Sequence, residues 1–150
     1  MSSVSLVGVL LLLAQTSPAL PKERWLCTGQ AATGFTYDQA SHSWRVANFK
    51  PDGRFIIAAL PIKSTTAPFQ WVIAPEGRTP LEGGLCESAF VAETFLHCSG
   101  LGGTFTFNRR SQRYIHYYQG GYVSYAPGVN DITDESADTP VVEIGTCAQI

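Results

Sequence analysis

Charged side chains are scarce in this sequence of 150 residues: Asp, Glu, Lys and Arg make up 15% of it, and the net charge is -2. A protein that binds nucleic acid through its phosphates needs a clear basic excess. The charge balance therefore argues against a nucleic-acid partner. Hydrophobic residues make up 45% of the chain, and a chain that is so apolar and so weakly charged is expected to fold rather than to stay disordered.

The sequence also lacks an apolar run long enough to cross a membrane as a helix. Residues 6–14 form a run of nine apolar residues, whereas a spanning helix needs roughly 20. This run is followed by polar residues and by the small residues Ser17 and Ala19, a pattern typical of a signal peptide that is cleaved after Ala19. We therefore predict a signal peptide over residues 1–19, one domain over residues 20–150, and a periplasmic or secreted protein that is a monomer.

Motifs that would indicate catalysis or cofactor binding are missing as well. The chain contains no C-x-x-C pair, no H-E-x-x-H, no G-x-S-x-G and no glycine-rich phosphate loop that opens a helix. Each of these spacings places the groups that a metal, a nucleophile or a phosphate needs. The sequence thus predicts no catalytic residue, no metal site and no cofactor. A small hydrolase with a site assembled from His97 or His116 stays open as an alternative.

Four cysteines follow the predicted signal peptide: Cys27, Cys86, Cys98 and Cys147. An even number of cysteines in an exported chain predicts disulfides, here two, and four cysteines allow three pairings. Cys86 and Cys98 flank a predicted strand-turn-strand, while Cys27 and Cys147 lie near the two ends. We favour the nested pairing of Cys27 with Cys147 and of Cys86 with Cys98.

Short runs of aromatic and β-branched residues recur along the chain and are separated by turn-forming clusters such as Pro51-Asp52-Gly53. No window has the periodicity of an amphipathic helix. Runs of this length and spacing predict an all-β fold, an antiparallel barrel or barrel-like sandwich of about eight strands. The predicted strands are residues 34–38, 42–49, 54–60, 69–74, 85–91, 94–99, 104–108, 113–118, 121–125 and 141–147. Two longer loops, residues 61–68 and the acidic residues 126–140, interrupt them, and the second is the candidate for a mobile segment.

Two predicted hairpins follow one pattern: aromatic, Thr, aromatic, Asp or Asn, five residues, aromatic. It occurs from Phe35 to Trp44 and again from Phe105 to Tyr114. The Asp or Asn of each pattern is placed to start the turn, because its side chain can accept a hydrogen bond from the backbone two residues on.

The candidate binding residues come from these hairpins. Tyr114, His116 and Tyr118 alternate along one strand and share a face; together with Trp44 they would form a partly polar aromatic wall if the barrel interior is not filled. Arg109 and Arg110 are expected at a hairpin tip, with their charges in solvent.

Three segments carry a resemblance to known proteins. They are A-T-G-F-T-Y-D at residues 32–38, G-T-F-T-F-N together with R-Y-I-H-Y-Y-Q-G-G-Y between residues 103 and 122, and T-P-V-V-E-I-G-T-C at residues 139–147. In these the chain resembles a group of short exported proteobacterial proteins with no assigned activity, so the resemblance implies no catalytic residue. Small periplasmic lysozyme inhibitors are disulfide-bonded barrels of similar length, but their serine-rich loop motif is absent, and that similarity is architectural only.

The sequence favours a non-enzymatic exported binding protein for an unknown small ligand or protein partner, acting through loops or a barrel mouth. The alternative is a proteinaceous inhibitor or immunity-type partner of a secreted enzyme, with the Arg109-Arg110 tip or residues 126–140 entering the target. A filled barrel with a protruding rigid loop would favour the inhibitor, and an open aromatic cavity would favour the ligand binder.

Overall fold

The computed structural model describes residues 23–60, 69–79, 82–87, 90–123, 133–135, 137 and 139–150. The predicted signal peptide, the loop at residues 61–68 and most of the acidic loop at residues 126–140 lie outside these ranges. The described residues form nine strands and one helical turn: β1 Arg24–Asp38, β2 Ser43–Phe49, β3 Arg54–Ala59, β4 Phe69–Pro75, β5 Gly84–Glu87, β6 Phe95–Gly100, β7 Gly103–Asn108, β8 Arg113–Tyr118, α1 Gly120–Val123 and β9 Val141–Gln149.

Eight of these strands close an antiparallel barrel. Each strand from β3 to β8 pairs with the next one along the chain, and β9 returns to pair with β1, which in turn pairs with β3. Closure leaves these eight strands without the exposed sheet edges on which strands of other molecules could pair. The predicted all-β barrel of about eight strands is therefore confirmed.

The long strand β1 extends beyond the barrel. Its first part, residues 24–28, pairs with β3, whereas residues 32–38 pair with β2. The pairing of β1 with β9 reaches only from Trp25 to Gly34 and shifts register between Gly29 and Ala31, as a β-bulge does where a strand bends. Beyond Gly34, β1 and β2 continue as a two-stranded hairpin that stands off the barrel.

Alternation along the strands fills the barrel interior. On β7, Phe105 and Phe107 are buried while Thr104 is exposed, because successive side chains of a strand point to opposite faces. The buried cluster draws on every strand of the barrel; it contains Trp25, Cys27, Phe55, Ile57, Ile73, Cys86, Leu96, Cys98, Phe105, Phe107, Tyr114 and Cys147. Bulky rings and two disulfides therefore occupy the space that a ligand cavity would need.

Both disulfides have the nested pairing that the sequence favours, Cys27 with Cys147 and Cys86 with Cys98. In each pair the cysteines lie directly opposite each other on neighbouring strands and point into the interior. The first disulfide joins β1 to β9, where the barrel closes. Two disulfides indicate an oxidising environment, as outside the cytoplasm.

The two hairpins with the same sequence pattern have the same turn. Asp38 Oδ1 accepts hydrogen bonds from the backbone N–H groups of residues 40 and 41, at 2.9 and 3.2 Å. Asn108 Oδ1 accepts the equivalent bonds from residues 110 and 111, at 2.9 and 3.0 Å. The fourth residue of each turn has a positive φ, 48° at His42 and 55° at Gln112. The predicted turn chemistry is confirmed in both places.

Three predictions of local structure need correction. The strand predicted at residues 85–91 is too long, because β5 ends at Glu87 and residue 90 belongs to no strand. The strand predicted at residues 121–125 is wrong at its start, because residues 120–123 form the helical turn α1. Glycine at positions 120 and 121 lets the chain leave the sheet after β8, whereas alternation alone could not distinguish this turn from a strand. The predicted strand at residues 34–38 is only the distal part of β1, which begins at Arg24.

In the described ranges, no helix has the length and hydropathy to cross a membrane.

The two disulfides close loops of very different length, with sequence separations of 120 and 12 residues. The conformational entropy that a disulfide removes from the unfolded chain grows with loop length. We expect the Cys27→Ala/Cys147→Ala double variant to lower the free energy of unfolding by about 5 kcal/mol and Cys86→Ala/Cys98→Ala by about 3 kcal/mol. Urea denaturation of the two variants checks this order. A larger loss for the Cys86–Cys98 pair would contradict the loop-entropy explanation.

Candidate functional site

Tyr114 and His116 point into the barrel, as their alternation on β8 predicts. Tyr114 is buried, stacks on Phe105 with ring centroids 4.8 Å apart, and meets Phe55 edge-on at 6.0 Å. The His116 ring lies against the same two phenylalanines, at 5.5 Å from Phe55 and 6.0 Å from Phe105. These residues are part of a packed interior rather than the wall of an open pocket.

A buried acid, Glu143 on β9, is the polar centre of this interior. It is 6% exposed, and its two carboxylate oxygens accept hydrogen bonds from the Tyr114 hydroxyl at 2.6 Å and from the Gly53 backbone N–H at 3.1 Å. A Cβ atom at Gly53 would come within 1.9 Å of the carboxylate, and one at Gly29 within 2.8 Å. Glycine at both positions makes room for the Glu143 side chain. Its hydrogen bonds connect β9 to β8 and to the residues before β3.

Sequence reasoning missed Glu143. The signal that could have found it is its position in the alternation of β9, where it shares the inward face with Gly145 and Cys147. A charged residue on the same face of a strand as a disulfide cysteine is a candidate for a buried, hydrogen-bonded group.

The described surroundings of the two candidate histidines differ. Burial lowers the pKa of His116, although the nearby Glu143 carboxylate acts in the opposite direction, and its buried Nε2 atom has no hydrogen-bond partner among the described residues. His97 is exposed, and its Nδ1 atom lies 3.0 Å from the Thr106 hydroxyl. A general base needs a nucleophile or water in a cleft and a group that orients its ring, and the described contacts of both histidines offer no such arrangement. Nor do the residues that the structure describes include a group of three His, Cys, Asp or Glu suited to a metal ion.

Tyr118, the third residue of the predicted wall, is half-buried at the end of β8. Its ring covers Gly102 in the turn between β6 and β7, where a Cβ atom would come within 2.2 Å of the ring. Gly102 has a φ of 76°, so both its conformation and this close approach require glycine. Tyr118 therefore packs on a turn of the barrel.

Trp44 lies elsewhere, on the hairpin that stands off the barrel. Its ring contacts are Tyr37 across the hairpin, at 5.6 Å and 66°, and Tyr122 of α1, at 5.3 Å and 87°. The structure thus does not unite Trp44 with Tyr114 and His116, because those two pack against Phe55 and Phe105 inside the barrel.

An exposed aromatic surface surrounds Trp44. We call it the aromatic face; it comprises Phe35, Tyr37, Trp44, Val46 and Tyr122. The first four share one side of the hairpin, because Phe35 is paired with Val46 and Tyr37 with Trp44. Phe35 is 49% exposed, Val46 75% and Tyr122 52%. Large apolar side chains gathered at one exposed place are typical of an interaction surface.

The aromatic face contains a small apolar pocket of about 250 Å³, lined by Phe35, Trp44, Tyr122 and Pro140. Its position is held by two contacts: the Phe35 backbone N–H donates to the Pro140 carbonyl at 3.1 Å, and Trp44 Nε1 donates to Asp134 Oδ1 at 3.3 Å. These contacts join the hairpin to the segment before β9.

Arg109 and Arg110 lie on the rim of a second, polar pocket of about 660 Å³ at the other end of the barrel. The prediction that the Arg109 side chain lies free in solvent at a hairpin tip is wrong. Its guanidinium lies 4.6 Å from the centre of the Phe90 ring, its Nε atom donates to the Glu93 carbonyl at 2.6 Å, and its Nη1 atom is 4.0 Å from the Glu23 carboxylate. Arg110 is exposed, as expected, and its side chain has no ion pair or hydrogen bond within the described part of the chain.

The chain matches no known family model, no curated protein and no solved structure. The resemblance to exported proteobacterial proteins therefore stays a prediction, and the function must be argued from the geometry alone.

The Tyr114 hydroxyl offers a test of the buried carboxylate. Removing it in Tyr114→Phe takes a charge-assisted hydrogen bond from Glu143, and we expect the free energy of unfolding to fall by about 1.5–3 kcal/mol. Tyr117→Phe, at an exposed tyrosine of the same strand, is the matched control and should stay within about 0.5 kcal/mol. Urea denaturation measures both, and equal effects would refute the role assigned to the hydrogen bond.

The two adjacent arginines provide a second test. Arg109→Ser removes the contact with the Phe90 ring and the bond to the Glu93 carbonyl, and we expect a loss of about 1–2 kcal/mol in unfolding free energy. Arg110→Ser should change it by no more than about 0.5 kcal/mol. Thermal and urea unfolding measure both variants. Two neutral variants, or two variants destabilised to the same extent, would contradict the different roles assigned to the two arginines.

Proposed function

We propose that this protein is an exported, non-enzymatic binding protein that recognises its ligand or partner through the aromatic face of the β1–β2 hairpin. The observation that carries the proposal is the exposure of Phe35 and Val46 beside Trp44 on a hairpin that projects from a filled barrel, with the exposed Tyr122 of α1 against Trp44.

Two observations support export from the cytoplasm. The chain carries two disulfides, which persist in oxidising compartments such as the periplasm or the extracellular space. Residues 6–14 form an apolar run of the length found in signal peptides, and small residues follow it at a plausible cleavage site. Both observations favour a periplasmic or secreted protein.

The filled interior argues for recognition at the surface. Phe105, Phe107, Tyr114 and both disulfides occupy the barrel, so binding inside it would require the core to open. The hairpin is paired with β9 at its base, and side chains on a preformed element can bind at a lower cost in conformational entropy.

A proteinaceous inhibitor is the second candidate, because a filled barrel with a rigid protruding element is also the geometry expected of one. The hairpin tip is pre-organised: Arg45 Nε lies 2.8 Å from the Asp38 carboxylate, Arg45 Nη2 donates to Ser41 Oγ at 3.0 Å, and Ser41 Oγ lies 2.8 Å from Ser43 Oγ. The hydrogen bond from the Ser41 backbone, more than any other contact, holds the pKa of Asp38 below its usual range. The tip at residues 39–42 could therefore enter a cleft without first being ordered.

Native mass spectrometry of the purified protein, after incubation with a pooled small-molecule fraction and with proteins of a bacterial extract, tests the proposal. We expect a bound species that Trp44→Ala loses and that the control Tyr117→Leu retains, since Tyr117 is an exposed aromatic residue on the outside of β8. A small molecule supports the ligand-binding function, and a stoichiometric protein supports the inhibitor. A species that Trp44→Ala retains and His116→Phe loses would move the site to the barrel and refute the proposal.

A further inference from the structure

The pocket in the aromatic face has the geometry of a partial aromatic cage. The rings of Trp44 and Tyr122 stand nearly perpendicular, at 87°, and Phe35 and Pro140 complete the lining. Two rings at a right angle line two sides of one space. A single exposed ring would offer only one flat surface.

Negative charge lies around this apolar lining. Asp134 accepts the Trp44 indole hydrogen bond, so its carboxylate lies at the edge of the pocket. The next residue, Glu135, is 54% exposed and its carboxylate lies 3.8 Å from His42 at the hairpin tip. Partial burial, together with the charges of Glu135 and Asp134, raises the pKa of the Tyr37 phenol. The carboxylates of Asp134 and Glu135 therefore lie close to the aromatic face.

This combination discriminates between ligand classes. Anions are disfavoured by both carboxylates and by the negative faces of the rings. A sugar needs several converging hydrogen-bonding groups to fix its hydroxyls, whereas this lining consists of Phe35, Trp44, Tyr122 and a proline. An organic cation with methyl groups fits both the nearby carboxylates and the aromatic lining. Aromatic faces attract its positive charge, and its methyl groups need no hydrogen bonds.

We infer that the pocket formed by Phe35, Trp44, Tyr122 and Pro140, with Asp134 at its edge, binds an organic cation with an apolar surface, such as a trimethylammonium head group. The inference rests on the proposed function, since it names the ligand class of the aromatic face. A trimethylammonium group is small enough to enter a pocket of about 250 Å³, and quaternary ammonium groups are the ligands that aromatic cages typically recognise.

The test compares two ligands of nearly the same shape. Choline is titrated into the disulfide-bonded protein, and so is 3,3-dimethylbutan-1-ol, in which carbon replaces the charged nitrogen. The indole N–H resonances of the three tryptophans are followed by nuclear magnetic resonance at constant ionic strength. Trp25 and Trp71 contact each other in the barrel at 5.5 Å and serve as internal controls. We expect choline to shift the Trp44 resonance saturably and the neutral alcohol to bind at least about fivefold more weakly.

Two variants separate the rings from the charge. Trp44→Leu should weaken choline binding at least about tenfold, as measured on backbone amides of β2, because it removes the principal ring. Asp134→Asn keeps an acceptor for the indole N–H and removes only the charge. It should weaken choline about two- to fivefold and leave the neutral alcohol unchanged. Glu87→Gln, at an exposed carboxylate on β5, is the control for a general loss of negative charge and should have no such effect.

Each other outcome overturns a defined part of the argument. Equal binding of choline and the neutral alcohol at Trp44 would refute the cation while leaving the aromatic face as the binding surface. The absence of any Trp44 shift with choline would refute the inference and leave the proposed function to the mass-spectrometric test. Choline shifts at His116 without shifts at Trp44 would refute both.

Discussion

The pairing of β1 with β9 is the constraint on which the rest of the structure depends. It closes the barrel, and the disulfide between Cys27 and Cys147 joins the same two strands at directly opposite positions. Closure fixes which side of every strand faces inward, because a shift of one residue in register would turn the whole alternating set over. The rings of the core, both disulfides and Glu143 all point inward as a consequence.

A filled barrel determines where recognition can occur. Among the described residues, the buried carboxylate is that of Glu143, and it accepts hydrogen bonds from the Tyr114 hydroxyl and the Gly53 backbone N–H, as a buried polar group requires. β1 keeps its pairing with β9 as far as Gly34, and beyond that residue its pairing with β2 continues to Asp38. Alternation places aromatic rings on one face of each strand. In the barrel this face is buried, whereas on the hairpin the rings are exposed, because no layer of the described structure covers their face.

Much of the fold could be predicted from local signals. Period-two alternation indicated the strands, and the Asp and Asn side chains indicated the two equivalent turns, which the hydrogen bonds to Asp38 and Asn108 confirm. The sequence predicts a strand at residues 121–125, whereas residues 120–123 form a helical turn, because aromatic and β-branched residues are compatible with either. The candidate site was predicted only in part: Trp44 is on an exposed surface, but it contacts Tyr37 and Tyr122 rather than the interior residues with which sequence reasoning grouped it.

The sequence by itself determined the all-β class, the two disulfides and the turn chemistry, since each depends on residues close together in the chain or on the number of cysteines. Only the tertiary structure decided that Glu143 is buried, that Arg109 packs on Phe90 while its neighbour Arg110 does not, and that Trp44 and Tyr122 meet at a right angle beside Asp134. These contacts join residues far apart in sequence. Their formation depends on the register of barrel closure and on the point at which β1 leaves β9, which no local pattern specifies.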